Sequence, residues 1–360
     1  MTDELVHSLQ NEEDGEQPDI TRTPTLAMVA ELAGVSLKTA SRAINGEKHV
    51  ASSTRDRVLK AADEVGFRIN AMASLLKRGV SNPVVCLITG DLSNPFYSMV
   101  AKGVEREIRS HGMTLTIASS DEDPVAERIL VDEFVSQRVR GLMIVSTLDD
   151  HSEYDVYRNR GVPMIFLDRP AVGLDAESIV LDNYAGTQLA MRDLISHGHR
   201  KIGYLGDYPR LRTRQLRFMA YADALNEVGV TGWEKWVRDS AHDVDSARAL
   251  TVELLTGDDP PTAVFAGNNQ ITIGALQAVR DVAPQTALIG FDDFALADLL
   301  GVTTVSHDPT EMGRLAAMRV LANSGIRQSS TQEHVIPTQL IRRGSGERRP
   351  VENTPLEPSV

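Results

Sequence analysis

At 360 residues, 42% of them hydrophobic, the chain is long enough for two or three domains and apolar enough to bury a core in each. No apolar run approaches the roughly 20 residues of a bilayer span, no basic-then-apolar leader is present, and a single cysteine, Cys86, excludes an intramolecular disulfide framework and a multi-cysteine metal centre. The expectation is a soluble cytoplasmic protein; its net charge of −13 argues against a nucleic-acid partner for the chain as a whole.

The charge is unevenly spread. Residues 1–24 set seven acids against Arg22, a net −6, and lack periodicity, so they read as a disordered acidic tail. Residues 25–80 hold nine bases against five acids, a net +4, and the remainder carries −11. A small basic module precedes a large acidic one, and only the module need approach phosphates.

Order is expected from Thr25. Leu26, Val29, Ala30 and Ala33 fall at i, i+3, i+4 and i+7, a helical stripe that Thr25 can cap. Gly34 permits the turn and Ser36 caps a second helix. A third runs from about Ser52 to Val65, with Val58, Ala61, Ala62 and Val65 on one face and Gly66 as its stop. The segment Ala30 to Arg42 is thus a helix-turn-helix. Ala33 lets the helices cross closely, and Val35, Ala40 and Ile44 face inward. Leu37, Lys38, Ser41, Arg42 and Asn45 face outward near the front of the second helix, as suits entry into a major groove. Arg42 or Lys38 can donate to guanine, Ser41 can serve a base or a phosphate, and Leu37 can touch a thymine methyl. Arg55, Arg57, Lys60 and the amides at the helix starts would hold phosphates. A bare two-helix pattern also fits an ordinary helical bundle with solvated charges.

From Asn82 the texture changes. Apolar runs at Val84–Ile88, Leu115–Ala118, Leu142–Val145 and Met164–Leu167 alternate with helical stretches at Tyr97–Ser110 and Asp123–Arg138. The rhythm restarts at Lys201–Leu205, with further strands near Ala263–Ala266 and Ala287–Phe291, so two α/β lobes with parallel sheets are expected. Polar residues follow the strand ends, where such sheets bind ligands: Asp91 to Phe96, Asp168-Arg169, Asn268-Asn269 and Asp292-Asp293. Singly, each fits a turn former, and Arg217 fits an exposed helix arginine; together they suit a small polyol or sugar. No nucleophile elbow, phosphate loop, dinucleotide fingerprint or zinc-protease motif occurs, so no catalytic residue, cofactor or metal is expected. His197 and His199 read as a helix end with Gly198 as its cap.

Thr25 to Asn45, Val50 to Arg55 and Asn70 to Lys77 resemble the headpiece and hinge of the lactose-repressor/galactose-repressor (LacI/GalR) family. Ser93 to Phe96, Gly161 to Pro170, Asp182-Asn183, His197 to Ile202 and Ile289 to Asp293 resemble its effector domain. The resemblance spans about Thr25 to Arg343. It implies a multidomain chain, an all-α helix-turn-helix headpiece joined to an α/β, two-lobed, periplasmic-binding-protein-like domain. It also implies a homodimer on palindromic double-stranded DNA, with no membrane partner and operator affinity set by a small effector, a sugar. By family precedent a repressor is expected rather than an activator. Base reading then falls to Leu37, Lys38, Ser41 and Arg42, minor-groove insertion to Ala73 and Leu76 of paired hinge helices, and phosphate contact to Thr25, Ser36, Asn45, Thr54 and Arg55. Phe96, Asp168, Arg217, His242, Asn268 and Asp292 are the expected effector ligands. The chain departs from the family pattern at Met28, where an acid is usual, and at Ala40 for valine, Ile69 for proline and Asn269 for aspartate. His242 stands where an aromatic ring is usual. Two other readings stay open: a global catabolite regulator that docks a corepressor protein, and a solute-binding protein.

The expected boundaries are 25–68 for the headpiece, 69–82 for the hinge and 83–345 for the effector domain. Within the latter, 83–181 and 308–332 form one lobe, and 182–307 and 333–345 the other. A disordered tail is expected over 346–360.

Overall fold

The computed structural model describes residues 24–68, 82–323 and 332–351, which belong to two compact units. Of the expected hinge at 69–82 only Asn82 lies within the described residues; Ala73 and Leu76 fall outside them, as do residues 1–23 of the acidic tail.

In the first unit, helices α1 (Leu26–Leu32), α2 (Leu37–Ile44) and α3 (Ser52–Glu64) pack as one bundle. Thr25 accepts the Met28 amide at 3.4 Å and Ser36 accepts the Thr39 amide at 3.2 Å, so a side-chain oxygen caps each of the first two helices. Gly34, at φ 62°, makes the left-handed turn between them. The buried core is built from Val29, Ala30, Ala33, Ala40, Ala43, Val58, Ala61 and Ala62. Six of those eight are alanine, which lets the helices approach closely but buries little apolar area per residue.

The second unit holds two six-stranded sheets with the same strand order. In the first lobe, β1 (Val84–Thr89), β2 (Thr114–Ser119), β3 (Gly141–Ile144), β4 (Met164–Leu167) and β5 (Glu177–Leu181) are ordered β2-β1-β3-β4-β5. In the second, β6 (Ile202–Leu205), β7 (Val237–Arg238), β8 (Ala263–Ala266), β9 (Ala287–Phe291) and β10 (Thr303–Ser306) are ordered β7-β6-β8-β9-β10. β11 (Glu333–Ile336) closes the first sheet and β12 (Gln339–Ile341) the second. All these pairings are parallel except β10 with β12. The inner strands β3, β4, β8 and β9 are buried along their whole length, which is why they read as unbroken apolar runs.

Two expectations are corrected here. Residues 333–336 are expected in the second lobe, but β11 pairs with β5 in the first, in register Glu333 to Ser178 through Ile336 to Leu181. The last crossover between lobes therefore lies between Ile336 and Gln339. The tail expected to fray from 346 is held at its start: Gly346 packs on Ile289 and Thr303, His199 Nε2 meets the Arg348 carbonyl at 2.8 Å, and Arg348 Nη1 donates to the carbonyls of Pro284 and Thr286. Backbone and imidazole partners far upstream order it, and no local periodicity announces them.

The helices Pro95–Arg109 and Pro309–Ala322 cross at two glycines. A Cβ on Gly103 would stand 2.0 Å from the Thr310 carbonyl oxygen, and one on Gly313 would stand 2.0 Å from that of Val100. This backbone contact anchors the returning chain to the first lobe.

Candidate functional site

Two places bring the candidate residues together, one in each unit. On the headpiece, α2 turns Leu37, Lys38, Arg42 and Asn45 to solvent, with Ser41 half-buried between them. Leu37 is 54% exposed, unusual for leucine and suited to a surface that meets an apolar partner group. Asn45 caps the C-terminus of α2 and donates Nδ2 to the Ser41 carbonyl at 2.8 Å. Arg42 Nε lies 3.3 Å from a carboxylate oxygen of Glu47, and Arg55 Nη2 donates to the Glu47 carbonyl at 2.8 Å. Thr25 and Ser36 stand exposed at the starts of α1 and α2, and Thr54 is half-buried in the first turn of α3. Free amides at helix starts, beside an exposed basic helix face, are the elements of a phosphate-holding surface.

In the second unit, Phe96, Asp168, Arg217, His242, Asn268 and Asp292 all line one cleft between the lobes. Each arrives by local necessity. Asn94 caps the helix Pro95–Arg109 and so sets Phe96 in its first turn. Asp168 and Asp292 directly follow β4 and β9, Asn268 caps the helix Asn269–Val282, and Arg217 points inward from the helix Arg212–Glu227. The enclosed space is about 40 Å³, room for about three waters. Anything larger enters only when the lobes part.

Protein groups fasten the lobes directly. Gln270 Nε2 donates to Asp91 Oδ2 at 2.9 Å and to Ser93 Oγ at 3.0 Å, and Asn269 Nδ2 donates to Asn94 Oδ1 at 2.9 Å. Arg210 Nη2 donates to the Glu122 carbonyl at 2.5 Å. Asn269 thus bridges the lobes through its amide.

The charges of the cleft are paired inward. Glu122 and Arg169 form a buried bidentate pair at 2.6 and 2.8 Å, with Gly90 making room: a Cβ there would stand 2.1 Å from Glu122 Oε1. Arg214 grips Asp239 through two bonds of 2.8 and 2.6 Å. Arg217 donates Nε to Asn183 at 2.8 Å and Nη1 to the Gly267 carbonyl, sets its guanidinium carbon over the Phe291 ring and stands 3.7 Å from Asp292. His307 Nε2 meets Asp292 Oδ1 at 2.7 Å. Burial pushes the Asp292 carboxyl up, but Arg217 and His307 more than offset it, so the net shift is downward. For Asp168 burial prevails over Arg169 and Arg217 and pushes the carboxyl above the usual range. Its ion-pair contact to Arg169 Nε, 3.9 Å, is too long for a hydrogen bond and leaves its acceptors open to a ligand hydroxyl. His242 Nδ1 meets Asp207 at 2.9 Å, its ring stacks on Tyr208, and that hydrogen bond raises the imidazole above its ordinary value.

Sequence reasoning missed Glu122, Asp207, Arg214 and Gln270, which line the cleft, and His307, which backs it through Asp292. Asp207 and His307 follow β6 and β10 just as Asp168 follows β4, so the strand-end rule extended to those strands reaches them. Glu122 and Arg214 carry no such signal, because distant partners define them.

Comparison with known proteins agrees with both halves. Residues 25–70 match the model of bacterial regulatory proteins of the lacI family, and residues 191–346 match that of the periplasmic binding protein-like domain. The chain is 30% identical over 327 residues to the HTH-type transcriptional regulator GalS of Salmonella typhimurium, covering 89% of this chain and 96% of that protein. It is 29% identical to the ribose operon repressor of Haemophilus influenzae, over 82% of this chain and 91% of that one. Among solved structures, a transcriptional regulator CelR–cellobiose complex matches with a TM-score of 0.66 at 27% identity, over 90% of this chain and all of that one. A helix-turn-helix with its reading face open, joined in one chain to a two-lobed cleft and matched along nearly its full length by such regulators, leads to one conclusion: the chain belongs to the lacI family of bacterial regulatory proteins and is a DNA-binding transcriptional regulator.

Proposed function

We propose that this regulator is a cytoplasmic homodimeric repressor of a palindromic operator, and that the effector controlling it is an uncharged polyhydroxylated molecule, a sugar, bound in the interlobe cleft. Leu37, Lys38, Ser41 and Arg42 read bases, while Thr25, Ser36, Asn45, Thr54 and Arg55 hold phosphates. Two-fold symmetry of the protein matches two-fold symmetry of the site. Ala73 and Leu76 serve the minor groove, where an apolar wedge kinks the duplex and brings more protein against it.

The observation that carries the effector reading is the pairing of the cleft's charges. Asp91, Glu122, Asp168, Asp207 and Asp292 line it, while the guanidinium groups of Arg169, Arg214 and Arg217 are all engaged by acceptors of the protein itself. A phosphate or carboxylate would meet excess negative charge and no uncommitted arginine; hydroxyls would find the open acceptors of Asp168. Phe96, in edge contact with His307, offers the apolar face that a sugar ring's C–H groups require. The ligand alters operator affinity only so far as it prefers one arrangement of the lobes over the other.

A thermal-shift screen of neutral sugars, polyols, nucleosides and sugar phosphates tests this. A binder raises the midpoint by mass action, and the same compound must change the protein's affinity for promoter duplex. Stabilisation by sugar phosphates with none by any neutral compound would overturn the reading.

A further inference from the structure

We infer that Glu47 is a positioning residue for base recognition: it holds Arg42 by Nε and leaves the two terminal nitrogens of the guanidinium free to fork onto a base edge. The inference rests on the base-reading role proposed for Arg42 and adds a residue beyond α2 to it.

Glu47 is fixed at every polar group of its backbone and at its side chain. Its amide donates to the Arg42 carbonyl at 3.0 Å, its carbonyl accepts from Arg55 Nη2 at 2.8 Å, and its carboxylate stands 3.3 Å from Arg42 Nε. Gly46, at φ 69°, makes the turn that brings the chain back over the end of α2. The carboxylate is thus carried by a braced loop, and it faces the guanidinium edge that end-on guanine recognition does not use. End-on, the two bonds to guanine O6 and N7 come from Nη1 and Nη2; with Nε held by Glu47, this geometry is favoured over the side-on one that uses Nε. A carboxylate in ion-pair contact 3.3 Å from Nε biases the plane of the fork and thins the rotamers that the arginine would otherwise lose on binding.

Both side chains are about half exposed, 47% for Arg42 and 50% for Glu47, so the pair adds little to folding stability. Its effect belongs to DNA binding, and it has two signs. On the cognate duplex the preset fork favours binding. On other sequences Glu47 adds a negative charge beside the phosphates and keeps Arg42 from swinging onto one of them, which weakens binding. A carboxylate at the rim of a basic surface therefore raises selectivity, although it lowers general attraction.

Fluorescence anisotropy of the full-length protein tests this with two probes. One is the duplex the wild-type protein enriches from a randomised pool, together with its single-base-pair variants; the other is a mixed-sequence duplex of equal length. Glu47→Gln should tighten mixed-sequence binding about two- to fivefold while reducing preference at one base pair about three- to tenfold. Arg42→Ala should abolish preference at that same base pair, and in the Arg42→Ala background Glu47→Gln should leave base preference unchanged. A merely structural defect would weaken both probes together, and that result overturns the inference, as does unchanged selectivity in Glu47→Gln while Arg42→Ala loses it. If Arg42→Ala itself keeps full selectivity, the base-reading assignment falls first and this inference with it.

Discussion

Asp168 and Asp292 occupy the same station in the two lobes. Each is the first residue past an equivalent strand, β4 or β9, and each holds a left-handed backbone, at φ 64° and 65°. Such a conformation costs a non-glycine residue about 1–2 kcal/mol, though aspartate and asparagine adopt it more readily than most residues. Where two lobes repeat the same local strain at the mouth of one cleft, the turn serves to aim a carboxylate.

Replacing either residue by asparagine keeps the backbone preference and removes the charge. Asp292→Asn deletes the counter-charge to Arg217 and weakens the anchor of His307. It should weaken effector binding at least about tenfold, the size of one charge-assisted bond in a buried site. Affinity for promoter duplex without effector should stay at the wild-type level. Calorimetry with an effector found by the thermal-shift screen, alongside a duplex titration, checks both halves.

Gln270 ties the lobes by donating to Asp91 and Ser93. In Gln270→Glu an acceptor replaces the donor and faces a carboxylate, so the closed arrangement loses a bond and gains a repulsion. Because the fastened arrangement leaves only about 40 Å³, too little for a sugar ring, effector affinity should rise about two- to fivefold as that form loses population. X-ray scattering of the free variant should show a larger radius of gyration than the wild type; equal radii and equal affinities would remove Gln270 from the fastening.

His242 carries a raised pKa, chiefly from its hydrogen bond to Asp207 and against the effect of burial. A histidine with a raised folded-state pKa contributes stability that is fully present below its unfolded value, about 6.5, and is lost as pH rises through the folded value. The melting temperature of wild type should exceed that of His242→Asn most at acid pH, and the gap should shrink on going to mildly alkaline buffer. A gap that widens with pH contradicts the assigned ion pair.

The glycine crossing gives a stability test free of ligand. Gly103→Ala or Gly313→Ala drives a methyl into a carbonyl of the facing helix and should cost about 1–3 kcal/mol in urea unfolding. Gly257→Ala is the control: its nearest neighbour would be 3.5 Å away and its φ is −71°, so its effect should stay within about 0.5 kcal/mol.

What could be read from the chain alone was what nearest neighbours along it decide. Periodicity and capping residues placed α1, α2 and α3 because a helix is held by contacts three and four residues apart. Unbroken apolar runs placed β1, β3, β4, β8 and β9 because inner strands are covered on both faces, and Phe96, Asp168, Asn268 and Asp292 could be read through their stations at strand ends and helix starts; Arg217, inside a helix, and His242, in a loop, came only from the family resemblance. Edge and closing strands were another matter. β7 is only two residues long, and β11 and β12, separated by two residues, join different sheets. Their identity comes from the strands beside them, which no local pattern reports. Glu122 shows the same limit within the site: its carboxylate is defined by Arg169, 47 residues away, and its carbonyl by Arg210 in the other lobe. Local order follows from short-range sterics and hydrogen bonding; the pairing of charges in the cleft, and with it the kind of ligand the cleft accepts, follows only once the two lobes face one another.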